Sequence, residues 1–382
     1  MCRARALAAG SAFLVLVVLL PRLALSAPTA AELYTMGPGD DAFSKFGHAA
    51  LCITDDRSPH GRCYNYGTAD FTTPVPLAWE VLRGRGRFWV SVTSRSDMLD
   101  AYRAGDRTVY KQVLPLSREA ADELAARLAR DARPENRFYT YHHFKENCAT
   151  RLRDHIDAVT GGALHASPVR LESTFRDMVR AGFQADPLLL LLSDFLIGRA
   201  ADLQPNTWEA MFLPEILREE VSRRLGARPE VVFTRKAAES VGAGGWALGG
   251  LAFGAMLGAA SVAGLRSRRH LLAKVGLVAI GVVLGLTALV VDAVALVSPV
   301  RELRGNELLL VLLPTDLMLA FMSSGRGRML RGYLMARLAM LALVASATLL
   351  GLLVQPIWYP LALVLVMLVP VYFRVAGRAL AP

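Results

Sequence analysis

The stretch Tyr141-His142-His143-Phe144-Lys145-Glu146-Asn147-Cys148-Ala149-Thr150-Arg151 places a cysteine where a loop becomes a helix. Asn147 is a favourable N-cap residue, and the helix that it predicts runs to Thr160, before Gly161-Gly162. Within this helix an apolar stripe recurs at intervals of three or four residues and consists of Cys148, Leu152, Ile156 and Val159. The thiol therefore heads the face that packs against the rest of the domain.

A histidine lies in a second informative stretch. In Phe46-Gly47-His48-Ala49-Ala50-Leu51, His48 begins a strand-like run. The free N–H groups of a helix N-terminus stabilise a thiolate, and a neighbouring imidazole can accept the proton of the thiol. The same N–H groups can bind the oxyanion of a tetrahedral intermediate. We therefore predict that Cys148 is a nucleophile and His48 its base. The alternative is that both are ordinary packed side chains.

A third group usually orients such an imidazole. If Cys52 and Cys63 face each other across a hairpin, strand alternation puts His48 and Asn65 on one face of the sheet, so Asn65 is the predicted partner of the ring. Tyr64 and Tyr66 replace it if the hairpin contains a bulge. The two cysteines form either a disulfide or a pair of small buried thiols. Cys148 is then the unpaired cysteine of the exported chain.

The N-terminus predicts export. The chain has 382 residues, is 53% hydrophobic and carries a formal charge of +10. Residues 1–26 are typical of a signal peptide, with Arg3 and Arg5, an apolar run from Phe13 to Leu20, and the small-residue cleavage site Ala24-Leu25-Ser26. The run is short for a membrane span, although an uncleaved anchor helix is an alternative. Residues 27–236 are then predicted to form one exported domain of mixed helix and strand.

The C-terminal part, residues 237–382, predicts a membrane domain. Its five apolar spans cover roughly 243–264, 271–297, 307–323, 333–354 and 357–373. Arginines concentrate in the loops 265–270 and 324–331 and in the tail from 374, which makes these segments cytoplasmic and the intervening loops external. This distribution explains the positive charge, so the sequence gives no reason to expect a nucleic acid partner.

Other segments leave alternatives open. The apolar run Leu188 to Gly198 is too short to span a bilayer and predicts either core or a segment at the membrane surface. The amphipathic stretch from Trp208 to Leu217 predicts core packing, with interfacial docking as the alternative. Asp292 and Asp316 fall within the predicted spans, either as functional polar groups or as helix-to-helix hydrogen bonds.

A metal site is not expected. The potential ligands near the cysteine are His142, His143 and Glu146, and their spacing matches no strong zinc motif. The two adjacent histidines also point apart on a helix or a strand. No cofactor is expected either.

Four stretches resemble the Lnb-type lipoprotein N-acyltransferases. They are Phe46-Gly47-His48-Ala49-Ala50-Leu51, Tyr64-Asn65-Tyr66-Gly67-Thr68, Tyr139 to Asp154 with Asn147-Cys148-Ala149-Thr150-Arg151, and Ile197-Gly198-Arg199 through Phe212-Leu213-Pro214. The likeness extends over nearly the whole mature chain. It implies an α+β fold, namely a circularly permuted papain-like exported domain with histidine before cysteine, as in lecithin:retinol acyltransferase, followed by an all-α five-helix transmembrane domain. The family nucleophile falls on Cys148 and its base on His48. Asn147 and Tyr64 are expected to support the site, while Arg151 and Asp154 brace the helix as an i, i+3 pair.

The resemblance implies a membrane-bound acyltransferase. The expected donor is a phospholipid, the acceptor is the N-terminal amine of a diacylglyceryl-cysteine lipoprotein, and the acyl group passes through a thioester on Cys148. The protein would then lie in the bacterial inner membrane with its catalytic domain in the periplasm. Two alternatives are a membrane-anchored, papain-like cell-wall peptidase or amidohydrolase, and a non-enzymatic membrane scaffold.

Overall fold

We describe the protein from a computed structural model, in which residues 29–56, 58–238, 246–266, 270–322 and 327–378 are described. The predicted signal peptide and parts of the two predicted cytoplasmic loops lie outside these residues. The strands are β1 (Ala30–Met36), β2 (His48–Asp55), β3 (Ser58–Thr68), β4 (Arg87–Ser94), β5 (Val109–Val113), β6 (Phe138–Thr140) and β7 (Glu230–Phe233).

The first eight helices lie between strands along the chain, and the other described helices follow β7. They are α1 (Pro74–Leu82), α2 (Arg95–Ala104), α3 (Arg118–Asp131), α4 (Cys148–Val159), α5 (Phe175–Phe183), α6 (Pro187–Leu196), α7 (Thr207–Ala210), α8 (Pro214–Leu225), α9 (Trp246–Arg266), α10 (His270–Val297), α11 (Met318–Met322), α12 (Gly327–Leu349) and α13 (Trp358–Arg378). Short 3₁₀ turns occur at Ala42–Ser44, Arg199–Asp202, Arg301–Leu303, Glu307–Leu310 and Pro314–Leu317.

One antiparallel sheet organises the N-terminal domain, with strand order β6-β4-β3-β2-β1-β5-β7. One face, with Leu33, Leu51 and Tyr64, packs against α3, α4 and α8. The other face contacts α2 and contains the disulfide between Cys52 and Cys63, which pair directly across the hairpin. The sequence prediction that His48 and Asn65 lie on one face of the sheet assumed this pairing of Cys52 with Cys63.

Local signals in the sequence agree with the helix boundaries. Ser117 caps α3 and accepts a hydrogen bond from the backbone N–H of Ala120. Helix α4 begins at Cys148 with Asn147 as its N-cap, and it gives way to Gly161-Gly162, whose φ angles of 66° and 84° suit glycine. The prediction of an α+β domain followed by a helical membrane module is therefore confirmed.

Among the described residues, the membrane module contains four helices long and apolar enough to span a bilayer, or five spans if one bent pair is counted. The bent pair covers Arg301–Leu310 and Pro314–Met322, with an angle of 49° between its halves. The first half of this pair contacts the loop after α12, because the Glu307 carboxylate accepts a hydrogen bond from the backbone N–H of Gln355 at 2.7 Å. The third predicted span is thus broken rather than one continuous helix, and Pro314 lies at the break.

Polar contacts dock the exported domain on the external side of this module. Asn306 donates its side-chain amide to the carbonyl of Phe195 at 2.7 Å, and Gln355 donates to the carbonyl of Ile197 at 2.9 Å. Phe195 also packs within the apolar core of the module. The run from Leu188 to Gly198 is therefore a helix that joins the two domains at the membrane boundary.

The amphipathic stretch after Trp208 belongs to the core of the exported domain. Phe212 and Leu217 are buried, and the Trp208 ring lies 3.8 Å from the guanidinium carbon of Arg153. Core packing, the first of the two predicted alternatives, is the observed one.

Asp316 is engaged in an ion pair inside the membrane module. Its carboxylate accepts two hydrogen bonds from Arg337, at 2.7 and 2.8 Å, and one from the Tyr333 hydroxyl at 2.7 Å. Asp316 and Arg337 are almost completely buried. The pair joins the broken span to α12, so Asp316 serves the helix-to-helix role that the sequence left as an alternative. Asp292 lies on α10 and is partly exposed.

We predict that Arg337→Met destabilises the protein by about 3–5 kcal/mol, because it leaves the Asp316 carboxylate buried without its cation. The double variant Asp316→Leu with Arg337→Met should recover most of this loss. The measurement is thermal unfolding of the full chain in detergent micelles, with Arg328→Met, at an exposed position, as the control. A double variant that is no more stable than the single one would contradict this account.

Candidate active site

The side chain of Asn147 builds the N-terminus of α4. Its carbonyl oxygen accepts the backbone N–H groups of Ala149 at 3.0 Å and Thr150 at 2.9 Å, and the Thr150 hydroxyl accepts the N–H of Asn147 at 2.8 Å. Its amide donates to the carbonyls of His143 and Phe212, both at 2.8 Å. Asn147 therefore holds the preceding loop, the helix and the segment before α8 in one arrangement.

Cys148 is the first residue of this helix and is a partly exposed free thiol. Burial raises the pKa of its thiol, and the backbone N–H groups of Ala49, Ala149 and Cys148 itself act in the opposite direction. Ala49 directly follows His48 on β2, so the helix start and the histidine strand meet at the sulfur.

A gap between two strands admits the thiol. Pairing of β2 with β3 ends at Leu51 and Tyr64, although β2 begins at His48 and β3 continues to Thr68. The strands separate there, next to Ala49, whose N–H lowers the pKa of the thiol. Gly67 lines the gap with φ of 86°, and a Cβ added to it would lie 3.5 Å from the Cβ of Cys148. Glycine at this position serves both the backbone conformation and the close approach.

Asn65 orients the ring of His48. The Asn65 amide donates to the carbonyl of Cys63 at 3.4 Å and to the Thr93 hydroxyl at 3.3 Å. Burial lowers the pKa of the imidazole, and interaction with the Asn65 side chain opposes this effect. The ring also stacks on Tyr102 of α2, with a centroid distance of 5.9 Å. His48 and Asn65 thus lie together, and Cys148 starts the helix that packs against the strand of His48.

The tyrosines proposed as alternatives to Asn65 lie elsewhere. Tyr64 points into the opposite face of the sheet, within the core beneath α3 and α4. The Tyr66 hydroxyl donates to Asp131 at 2.8 Å and lies 2.8 Å from the Nε2 of His155. Tyr64 therefore supports the site through packing alone, and neither tyrosine contacts the ring of His48 in the described structure.

The predicted pair between Arg151 and Asp154 is wrong. The Nε of Arg151 lies 2.7 Å from the Glu146 carboxylate, and its guanidinium carbon lies 4.7 Å from the ring centre of Tyr139. Asp154 pairs instead with the adjacent Arg153 at 2.7 Å. Arg153 is buried and extends toward Trp208, so it reaches the neighbouring Asp154 whereas Arg151 turns back toward the loop. Both contacts still brace the start of α4.

Arg107 is a site residue that the sequence reasoning missed. Its Nε donates to the carbonyl of Gly37 at 2.9 Å, and its guanidinium carbon lies 4.9 Å from the ring centre of Tyr102. One terminal nitrogen, Nη2, is buried without a hydrogen-bond partner among the described residues. Its charge acts on both Cys148 and His48. Nothing in the local sequence distinguishes this arginine, which enters the site from the start of β5.

Burial decides the resting protonation of the pair. It lowers the pKa of His48 to about 4, with a further lowering by Arg107, so the ring is neutral at neutral pH. Burial also raises the pKa of the Cys148 thiol, more than the three N–H groups and Arg107 lower it. The site therefore holds a protonated thiol and a neutral imidazole, which can accept the proton of the thiol during attack.

The two histidines before the cysteine have separate roles. His142 lies 3.3 Å from the carboxylate of Glu302 in the membrane module, and Lys145 pairs with the same group at 3.2 Å. His143 packs between Phe46 and Phe144. The loop that leads to Cys148 is thus attached to the membrane module.

Residues 22–181 match the family model described as the Lnb N-terminal periplasmic domain. This range contains Cys148, His48, Asn65 and Arg107. No match was found among curated proteins or among solved structures.

We predict that alkylation of Cys148 by iodoacetamide rises only at alkaline pH, with a midpoint above the ordinary thiol value. A raised pKa keeps the sulfur protonated at pH 7, and only the thiolate reacts. The measurement is the alkylation rate of the full chain, with Cys2→Ser, between about pH 4 and pH 10. A rate plateau extending down to pH 5 would instead reveal a preformed thiolate–imidazolium pair.

We predict that Gly67→Ala slows both alkylation of Cys148 and turnover by about tenfold or more, since it combines a strained φ with a methyl group against the thiol. Gly161→Ala is the matched control, because its φ is 66° and nothing lies within 4 Å of an added Cβ. Both variants should lose similar stability, of about 1 kcal/mol, in thermal unfolding. Equal activity of the two variants would exclude a specific role for Gly67.

Proposed function

Since residues 22–181 make this chain a member of the Lnb family, a membrane-associated protein with a periplasmic domain, we propose that it is a lipoprotein N-acyltransferase. It transfers a fatty acyl group from a phospholipid to the N-terminal amine of a diacylglyceryl-cysteine lipoprotein. The protein acts in the bacterial inner membrane, and its multi-pass module keeps the exported domain beside both lipids.

One observation carries this proposal. A free thiol lies at the N-terminus of a helix that packs against the strand of His48, and the side chain of Asn65 interacts with the ring of that histidine, in a domain docked on apolar membrane helices. Cysteine, histidine and asparagine form the reactive group of papain-like enzymes. Since the loop before Cys148 is bonded to Glu302 of the membrane module, the thiol is held close to the bilayer surface. A thiol acyl enzyme with a membrane substrate has this construction.

The first step acylates the enzyme. His48 accepts the proton of Cys148 as the sulfur attacks the ester carbonyl of the phospholipid. The tetrahedral intermediate then breaks its bond to the glycerol oxygen, which takes the proton from the imidazolium and leaves as a lysolipid alcohol. Arg107 supports this step in two ways, since its charge stabilises the sulfur anion and keeps His48 neutral before the reaction.

The second step transfers the acyl group. The α-amine of the lipoprotein has an ordinary pKa of about 8, so a useful fraction is neutral in the periplasm. It attacks the thioester carbonyl, His48 takes the proton released by nitrogen, and the carbon–sulfur bond breaks. The imidazolium returns its proton to sulfur and the amide product leaves. The apolar core packed around the partly exposed Cys148 limits the access of water that would hydrolyse the thioester.

We predict that Cys148→Ser and His48→Ala each lower lipoprotein N-acylation by about a hundredfold or more. The measurement is mass spectrometry of lipoprotein N-terminal peptides from bacterial cells in which the chain is the sole candidate enzyme. His60→Ala, an exposed histidine on the hairpin, is the matched control and should behave as wild type. Unchanged N-termini at normal protein levels would overturn the proposal, and altered cell-wall peptides in their place would favour a peptidase.

A further inference from the structure

Helix α1 presents an apolar surface that no other described part of the chain covers. None of its residues is buried, although its sequence, Pro-Val-Pro-Leu-Ala-Trp-Glu-Val-Leu, is largely apolar. Val75 is 77% exposed and Trp79 is 41% exposed. Phe43 and Phe71 continue this surface, with similarly exposed rings whose centres lie 5.2 Å apart. We call Phe43, Phe71, Val75 and Trp79 the α1 surface.

Contacts with the membrane module fix the position of the α1 surface relative to the bilayer. Helix α10 ends at Val297 on the external side. The loop that follows α10 contacts Gly84, the second residue after the end of α1. A Cβ added to Gly84 would lie 2.7 Å from Pro299 and 3.5 Å from Val300. The end of α1 therefore rests on the outer end of a transmembrane helix, at the level of the lipid headgroups.

The flanking residues suit a phospholipid surface. Trp79 carries the aromatic ring type that concentrates at membrane interfaces, with the guanidinium of Arg83 lying 5.9 Å from the ring centre. Arg85 and Arg87 follow and are exposed, with Arg85 3.2 Å from the Glu80 carboxylate and the Arg87 guanidinium 3.9 Å from the ring centre of Phe138. Exposed apolar side chains bordered by arginines are the composition of an interfacial helix.

Aromatic rings connect this surface to the thiol. The Phe71 ring centre lies 6.4 Å from that of Phe88, which stacks on Tyr141 at 4.3 Å. Tyr141 is partly buried, and desolvation together with the charge of Cys148 raises the pKa of its hydroxyl. The series Phe71, Phe88 and Tyr141 thus gives an apolar connection from the α1 surface to Cys148.

We propose that the α1 surface inserts into the outer leaflet of the bilayer and admits the acyl chain of a phospholipid toward Cys148. The second half of this statement rests on the proposed function, whereas insertion does not. The membrane module holds the protein in the bilayer, and α1 brings one lipid out of the leaflet to the site.

Insertion is tested without any enzymatic activity. A chain with Cys2→Ser and Cys148→Ser receives Val75→Cys, is labelled with an environment-sensitive fluorophore and is placed in phospholipid nanodiscs that contain doxyl lipids. The matched control is Val113→Cys, which is 55% exposed on β5. Val113 pairs with Glu32, at the end of the sheet away from His48, which lies opposite Met36. We expect several-fold stronger quenching at position 75, whereas equal quenching at the two positions would overturn the insertion.

Substrate entry is tested by Val75→Glu in an otherwise unchanged chain. Turnover of bilayer phospholipid should fall by about tenfold or more, since a charge opposes insertion of the helix. Acylation by a water-soluble short-chain ester should stay at the wild-type rate, and Val113→Glu should change neither rate. Equal losses with both substrates would overturn the entry role. Wild-type protein that consumes neither ester would instead refute the proposed function and leave the quenching result intact.

Discussion

The capping of α4 by Asn147 is the interaction on which the site depends. One amide side chain accepts two N–H groups of the helix and donates to two carbonyls from different segments. A helix end that is buried without such partners would leave several backbone groups unpaired. Because the cysteine is the next residue, the requirement that stabilises the helix also fixes the position of the sulfur.

A second constraint is the balance between burial and charge at the reactive pair. The same surroundings that exclude water disfavour both the imidazolium and the thiolate. Arg107 opposes this effect for sulfur and adds to it for the histidine. The result is a neutral pair that becomes charged only as the reaction proceeds, which suits a site beside hydrocarbon. A dry site also favours transfer to an amine over transfer to water.

The membrane module is part of the same arrangement. Glu302 contacts the loop just before Cys148, Asn306 and Gln355 receive the end of α6, and Pro299 supports α1. Within the module, the pair between Asp316 and Arg337 compensates for the broken third span, where the regular hydrogen bonding of a helix is lost. The exported domain is thus held at one height above the bilayer by several independent contacts.

The sequence by itself determined the order of the parts, the membrane module, the start of α4 at Cys148 and the alternation that sets His48 beside Asn65. Those features depend on residues that are near in sequence or on simple periods, so the local pattern contains them. Only the tertiary structure decided four features of the protein. Arg107 enters the site, Arg151 pairs with Glu146, the third span is broken, and the thiol is protonated. Each depends on which distant side chains share a buried space, and no local pattern contains that information.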